Sequence, residues 1–307
     1  MEYYLIALYA TALVLSLFKL YESKDNRDIL MFMAFLIVSW ALFNYEGYAN
    51  TTDALLSGVI ILNLAVSSFG SMRGNVFLVI ALLYFAAALS NGVAISVLLQ
   101  SVAIGAISSP RMYKRSELKE VRKPTENLRN AFQIFAGLFF IGIFLLLQTI
   151  YASVILLLVF IAGMAISNII ISSKGKYMGI LTALERAGYD FGHGAFWLGV
   201  GAIFAAGFLG YTQAVVVFSA IFIADSLSTL VGVHFGKAKL PYNKRKSVVG
   251  TAAYFVVVLA ISLPFMPYLS IPVALLAAFA ESLPIPLDDN FFVSVVLTFV
   301  AKLLLFL

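Results

Sequence analysis

Long apolar blocks separated by short polar connectors make up most of this chain. Continuous apolar stretches run through residues 131–149, 151–171 and 195–209, and most approach the roughly 20 residues that a helix needs to cross a bilayer. The blocks are continuous and do not alternate between apolar and polar positions. Because backbone groups in hydrocarbon must pair internally, this pattern predicts transmembrane helices and excludes a barrel.

The apolar pattern predicts an all-α fold, a polytopic transmembrane helix bundle with about 10 to 12 spans. The run from residue 76 to residue 109 is too long for one span, and we divide it at Ser90, Asn91 and Gly92, a helix-breaking cluster. The predicted spans lie near residues 3–19, 29–44, 53–70, 76–90, 92–109, 131–149, 151–171, 194–210, 212–235, 248–268, 270–283 and 291–306.

Composition supports lipid as the solvent of this protein. Of its 307 residues, 62% are hydrophobic and 11% charged, whereas soluble domains have roughly half apolar and a quarter charged residues. The chain has no cysteine, which excludes disulfides, thiolate metal sites and a cysteine nucleophile. The net charge of +5 comes from connectors whose charge the orientation of a membrane protein explains, so we expect no nucleic-acid partner.

Lysine and arginine collect on alternate connectors. Segments 111–129 and 237–246 are strongly basic, whereas segments 45–52, 210–212 and 268–270 contain no Lys or Arg. The basic side of a membrane protein faces the cytoplasm. We therefore expect an integral, multi-pass protein of the prokaryotic plasma membrane or the eukaryotic endoplasmic reticulum, with a cytoplasmic active site.

One long polar connector, residues 110–130, divides the chain. It predicts an N-terminal transmembrane block of about five spans, residues 1–109, and a C-terminal block of about seven, residues 110–307. Nearly all polar groups within predicted spans lie in the second block, so chemistry is expected there.

Asp225 is the strongest single signal for chemistry. A carboxylate at membrane depth is costly unless it is paired, binds a metal or lines a wet cavity. Thr229, Gly232 and Gly236 follow it at helical spacing, with Ser228 alongside, which predicts one small and polar helix face. The alternative is a carboxylate that pairs with a neighbouring helix for packing.

A basic cluster runs directly into an apolar helix at Lys246. Ser247 is a natural N-cap, a helix N-terminus offers free N–H groups, and Gly250 lets an anion approach the backbone. With the charge of Lys246 and with Thr251, these residues suit a polyphosphate. The alternative is anchoring at the cytoplasmic face or contact with anionic lipid.

Further acidic side chains surround a proline-marked turn. Glu281 precedes Pro284, and Asp288, Asp289 and Asn290 follow it. The prolines end the preceding helix, and such hard oxygen ligands are those that Mg²⁺ takes beside nucleotide phosphates. A turn followed by an N-cap is the alternative for the Asp-Asp-Asn segment.

Three more basic residues belong to the same predicted surface. Arg186 lies in a glycine-rich entry to a span, and Arg122 and Lys123 lie in the long connector. Each could clamp phosphates, and an ordinary solvated or headgroup-binding role is the alternative.

At these residues the chain resembles the dolichol kinase or polyprenol kinase family, membrane-embedded CTP-dependent lipid kinases that include phytol kinase and yeast-type diacylglycerol kinase. The family has a histidine three positions after its Arg-Lys pair, where this chain has Glu126. The matching pieces, in the family's order, are Arg122-Lys123, Glu185-Arg186 with the following Gly-x-Gly, Ala224-Asp225 with Gly232 and Phe235-Gly-Lys237, Lys246-Ser-x-x-Gly-Thr251, and Glu281 with Asp289-Asn290.

The resemblance implies a mechanism. CTP with Mg²⁺ would bind at the cytoplasmic face, and a lipid alcohol would reach its γ-phosphate from the bilayer. Glu281 or Asp225 would orient the hydroxyl or accept its proton, and Asp225, Asp289 and Asn290 would hold the metal. The phosphates would be held by Lys246, by the Ser247 helix start with Gly250 and Thr251, and by Arg122, Lys123 and Arg186.

Other classes remain open at the level of sequence. Phosphatidate cytidylyltransferases resemble this chain in the Asp, Gly-x-x-Phe-Gly-Lys and Lys-Ser/Thr-x-x-Gly segments, but continue into a His-Gly-Gly signature that this chain lacks. In a transporter, Asp225 and Glu281 would be proton or ion sites. A non-catalytic scaffold would bind no nucleotide.

Overall fold

The computed structural model describes residues 52–69, 72–90, 92–107, 126–172, 193–285 and 288–304. These residues are nearly all helical, with one isolated bridge between Lys239 and Ser247, so the all-α prediction is confirmed. The described helices are α1 (Thr52–Ser67), α2 (Met72–Ser90), α3 (Ile95–Ile107), α4 (Glu126–Leu146), α5 (Thr149–Ser172), α6 (His193–Phe208), α7 (Tyr211–Phe235), α8 (Val248–Ser262), α9 (Ser270–Ser282) and α10 (Asp289–Leu304).

Four of the described helices, α2, α4, α5 and α7, are long and apolar enough to cross a membrane. Five others, α1, α3, α6, α8 and α9, are apolar over shorter lengths. Helices of this kind are typical of a membrane protein. The predicted spans at 3–19 and 29–44 lie outside the described residues.

The predicted helix ends agree with the structure at one break and differ at another. Helix α2 ends at Ser90 and α3 begins at Ile95, and Gly92 between them has φ 80°, which confirms the predicted division. The span predicted to reach residue 268 is too long, because α8 ends at Ser262. Pro264 has no N–H to continue the helix hydrogen bonds, and a turn occupies 263–269.

The described helices divide into two compact units. The first contains α1, α2, α3 and the part of α5 from Leu157 onward. Within it, Gly58 of α1 lies directly against Ser101 of α3. Asn168 of α5 is fully buried and donates a hydrogen bond to Asn75 Oδ1 of α2 at 2.9 Å. The predicted division into residues 1–109 and 110–307 stays a prediction, because residues 108–125 lie outside the described part of the chain.

The second unit contains α4, the start of α5 and α6 to α10, arranged around α7. Helix α7 contains a buried π-helical turn, Ser219–Ala224. Phe218 packs edge-on against Phe144 of α4, and Gly137 of α4 leaves room for Phe222. The turn therefore lies in the aromatic core of the unit and fixes the direction of Asp225, the next residue.

Candidate functional site

Asp225 directly follows the π-helical turn of α7. Such turns occur frequently at functional sites, because they change which side chains a helix presents. Its neighbour Ser226 is fully buried against α4, where it donates to Gln133 Oε1 at 3.1 Å and to the Phe222 carbonyl at 2.8 Å. Asp225 itself is partly exposed, so its carboxylate is held by a rigid segment and can still reach a ligand.

Helix α8 starts against the C-terminal end of α7. Ser247 is its N-cap, as predicted, and accepts a hydrogen bond from Gly250 N at 3.1 Å. The Val248 N–H donates to the Ala238 carbonyl at 3.0 Å, so two N–H groups at this end are already used. Gly250 packs closely against α7, because a Cβ there would lie 3.1 Å from the Ser228 carbonyl oxygen, and its predicted role in phosphate binding stays a prediction.

The loop between α7 and α8 is fastened to the end of α9. Asn243, which is buried, donates from Nδ2 to the Ser282 carbonyl at 2.9 Å, and its Oδ1 accepts from Arg245 N at 3.1 Å. The Tyr242 hydroxyl shares a 2.8 Å hydrogen bond with Ser282 Oγ. These bonds fix the loop backbone at the residues that precede Lys246.

Lys246 points into a cluster of carboxylates from three helices. Its Nζ forms a hydrogen-bonded ion pair with Glu281 Oε1 of α9 and lies 2.9 Å from Asp289 Oδ2 of α10. The side chains of Lys246 and Glu281 are 19% and 4% exposed. Burial alone lowers the pKa of Lys246, but the charges of Glu281, Asp289 and Asp225 outweigh it and raise that pKa, so the ammonium stays charged.

Two polar atoms in this cluster have no hydrogen-bond partner among the described residues. They are Glu281 Oε2 and Thr251 Oγ1, and both are buried. Tyr254, one turn beyond Thr251, is also buried and lies near enough to the carboxylates of Asp225 and Glu281 for their charges to act on its phenol group. Buried polar groups are costly when unpaired, so these atoms are suited to receive a ligand.

Asp288 and Asn290 lie where α10 begins. Asp288 caps the helix, because its Oδ1 accepts from Asn290 N at 3.1 Å and from Phe291 N at 3.3 Å. Burial raises the pKa of the Asp288 carboxyl to about 7. Asn290, predicted to bind a metal, is buried. The segment therefore forms the N-cap that was the alternative to a metal site, and still places Asp289 beside Lys246.

The carboxylates around Lys246 supply the type of donor atom that magnesium prefers. Asp225, Glu281 and Asp289 supply hard oxygens, and Glu281 Oε2 is without a partner among the described residues. No group of three or more His, Cys, Asp or Glu residues with metal-binding geometry is present in the described part of the chain. Magnesium sites in nucleotide enzymes commonly use one or two carboxylates together with substrate phosphates, so this donor set fits a metal that arrives with a nucleotide.

Sequence reasoning missed the residues that hold the site in place. The structure brings Asp225, Lys246, Glu281 and Asp289 together. Ser247 directly follows Lys246 in the sequence, and Thr251 lies in α8, which Ser247 caps. Arg122, Lys123 and Arg186 lie outside the described residues. Asn243 and Ser282 were not predicted, and the one signal for them was an amide within the basic loop.

No protein-family model and no solved structure matches the chain. A stretch of 124 residues is 33% identical to an uncharacterized protein of Methanocaldococcus jannaschii. The similarity covers 39% of this chain and 63% of that protein. The chain therefore spans less than two thirds of the length of this relative, whose description states no activity.

Proposed function

We propose that this protein is a CTP-dependent lipid kinase that phosphorylates a dolichol-like or polyprenol-like lipid alcohol at the cytoplasmic face of the membrane. The observation that carries the proposal is the ion cluster of Lys246 with Glu281 and Asp289, beside Asp225. These residues come from one loop and three helices and lie up to 64 positions apart in the sequence. A packing role for Asp225 alone would not require this convergence.

The charge of the cluster favours a nucleotide that carries a metal. Three carboxylates and one ammonium leave an excess of negative charge, which repels a free triphosphate. A divalent cation between the carboxylates and the phosphates would reverse this repulsion and neutralise charge that develops during transfer. Asp225 and Asp289, with Asn290, are the residues proposed to hold it. Lys246, at the start of α8, would then be free to contact a phosphate oxygen.

The reaction requires few groups from the protein. The acceptor hydroxyl oxygen forms a bond to the γ-phosphorus while the bond to the β,γ-bridging oxygen breaks, and CDP leaves. The hydroxyl proton passes to the carboxylate of Glu281 or Asp225. Phosphoryl transfer depends chiefly on positioning and on charge stabilisation, and a buried lysine among carboxylates suits both.

The proposal includes a membrane arrangement. The chain would be a multi-pass protein with about 10 to 12 spans, and the loop with Lys246 would face the cytoplasm. Four basic residues of this loop are exposed, namely Lys237, Lys239, Lys244 and Arg245, which agrees with the distribution of charge in membrane proteins. The lipid alcohol would enter laterally, since its hydrocarbon stays in the bilayer.

The proposal is tested with purified protein in detergent or nanodiscs. The protein is incubated with Mg²⁺ and with CTP or ATP labelled at the γ-phosphate or in the nucleoside, and with polyprenol, dolichol, a phytol-like alcohol, diacylglycerol or phosphatidate. We expect γ-label, and no nucleoside label, on one class of lipid alcohol. Transfer of CMP to phosphatidate would identify a cytidylyltransferase, and no labelled lipid with any donor would refute the kinase assignment.

Asp225→Asn provides the site-specific arm of this experiment. We expect it to lower lipid phosphorylation by about a hundredfold or more, because the substitution removes a charge without changing shape. Ser262→Ala, at the other end of α8, is the matched control and should keep full activity, since Ser262 Oγ bonds only within its own helix. Equal activity of the Asp225→Asn and Ser262→Ala proteins would remove Asp225 from the mechanism.

A further inference from the structure

The loop from Gly236 to Ser247 presents its basic residues in two directions. Lys246 points inward to Glu281 and Asp289. Lys237, Lys239, Lys244 and Arg245 are exposed, and none of these four makes an ion pair with another described residue. Residues 226–280 contain no Asp or Glu, so the sequence around the loop offers nothing to neutralise them.

Large apolar side chains are exposed next to these cations. Phe235, at the end of α7, is 69% exposed, Tyr242 is 50% exposed, and Val248, at the start of α8, is 48% exposed. Side chains that combine an apolar body with neighbouring positive charge are typical of the interfacial region of a bilayer. Helix α7, which leads into the loop, is one of the helices able to cross a membrane.

The loop backbone is held before any partner binds. Leu240 N donates to the Lys246 carbonyl at 3.1 Å, and Lys246 N donates to the Asn243 carbonyl at 3.2 Å. Leu240 is buried and Asn243 is bonded to Ser282. Because the loop is already ordered, binding of an anionic surface would cost little conformational entropy.

We propose that Lys237, Lys239, Lys244 and Arg245, together with Phe235 and Tyr242, form a binding surface for the headgroups of anionic bilayer lipids. The cations supply charge complementarity to phosphate-bearing headgroups, and the aromatic rings enter the interface beside them. The surface lies at the end of α7 that leads to the ion cluster. The proposal is independent of the kinase reaction, since it uses none of the carboxylates.

The absence of native cysteine allows a direct test. Ala238 is exposed in the same loop, and Ala238→Cys can carry a fluorophore in nanodiscs. Quenching is measured with phosphatidylglycerol and with phosphatidylcholine that carry a nitroxide on the same acyl carbon. We expect stronger quenching by phosphatidylglycerol, and a preference that falls by about fivefold for each cation replaced by glutamine, in the series from K239Q to K237Q/K239Q/K244Q/R245Q.

Two controls show whether the lipid preference depends on these four cations. Arg73→Gln removes an exposed cation of α2 and should leave the preference unchanged. High salt should reduce the preference, because exposed charges are screened. Equal quenching by the two lipids, or a preference that survives in the quadruple variant, would overturn the proposal. Displacement of phosphatidylglycerol by inorganic pyrophosphate at low concentration would also overturn it, because the loop would then be a site for free phosphate.

Discussion

Lys246 links α9 and α10 through the buried Glu281 and the partly exposed Asp289. Glu281 is 4% exposed, and a carboxylate removed from water is tolerated when a cation and hydrogen bonds accompany it. Its Oε1 is paired with Lys246, while its Oε2 has no partner among the described residues. The ammonium therefore balances the buried charge of Glu281 in the absence of a ligand, and its loss should destabilise the fold as well as the site.

The first prediction concerns the stability that this pair provides. Lys246→Met should destabilise the protein by about 3 kcal/mol, because it leaves the Glu281 charge buried without its partner. Glu281→Gln in the same chain should recover most of that loss. The measurement is a double-mutant cycle from thermal unfolding in detergent. Additive effects of the two substitutions would show that the pair is not coupled.

Asn243 is the subject of the second prediction. Asn243→Asp replaces the donor to the Ser282 carbonyl with an acceptor, so the loop should detach from α9. The free energy of unfolding should fall by about 1–3 kcal/mol. Detachment exposes the bonds after Lys244 and Arg245 to trypsin, and the rate of cleavage there should rise. Tyr242→Phe removes only the hydroxyl bond to Ser282 Oγ and should have a smaller effect. Unchanged cleavage in Asn243→Asp would mean that the bond does not hold the loop.

At the scale of single residues, charged and turn-forming side chains could be identified in the sequence, and their contacts could not. Asp225 was visible because a carboxylate at membrane depth is costly, and Glu281 and Asp289 because they supply oxygen ligands around a proline-marked turn. The bond from Asn243 to Ser282 joins segments 39 residues apart and involves a backbone carbonyl, which leaves no residue pattern. Gly250 shows a related limit, since a glycine suits both an anion site and a packed helix, and its contact with Ser228 is visible only in the structure.

Helices α7 and α8 meet through small residues at the end of α7 that leads into the loop with Lys246. A Cβ on Gly236 would overlap the Gly232 carbonyl oxygen and the Ser247 side chain. On Gly250 it would lie 3.1 Å from the Ser228 carbonyl oxygen and 3.3 Å from Gly232 Cα, both in α7. The close approach of the two helices thus requires glycine on both sides, as is common in membrane helix packing.

The third prediction tests this contact. Gly236→Ala should force α7 and α8 apart and destabilise the protein by about 1–3 kcal/mol, with a parallel loss of the proposed kinase activity. Gly142→Ala in α4 is the matched control, since a Cβ there meets nothing within 4 Å, and alanine should be neutral or stabilising by up to about 1 kcal/mol. The stability of both variants is measured by thermal unfolding. A similar loss of stability in both would contradict the packing role of Gly236.

Most helix ends could be predicted from the sequence because proline and glycine mark them. Pro284 predicted that the helix of Glu281 ends before it, near residue 283, and the helix ends at Ser282, while Gly92 marked the break before α3. The π-helical turn at Ser219–Ala224 could not be predicted, because it contains neither glycine nor proline and depends on packing against α4. Its effect on Asp225 became visible only in three dimensions.

For the whole molecule, composition was sufficient to predict that the described residues are nearly all helical and include helices long and apolar enough to cross a membrane. The grouping of helices was not predictable to the same extent. Helix α5 reads as one uniform apolar block, yet its part from Leu157 onward belongs to the first unit, where Asn168 bonds to Asn75. Long-range polar contacts of this kind help to determine which helices pack together, and such contacts cannot be identified from the hydrophobicity of the sequence.

The last prediction concerns how α8 and α9 relate to the bilayer. Helix α8 has 15 residues and is about 22 Å long at the α-helical rise, less than the roughly 30 Å hydrocarbon core. The turn at 263–269 continues the apolar sequence, and Tyr268 within it is 95% exposed. The connector contains no Lys or Arg, so we expect it to lie opposite the basic loop.

Single cysteines in this cysteine-free chain can decide the question. In intact cells, a membrane-impermeant maleimide should label Tyr268→Cys and should label Ala238→Cys only after the membrane is made permeable. If neither position is labelled before the membrane is made permeable, α8 and α9 enter and leave the membrane on the same side. The ion cluster would keep its geometry in that case, because the bonds of Lys246 do not depend on the span count, but the number of spans would fall by two.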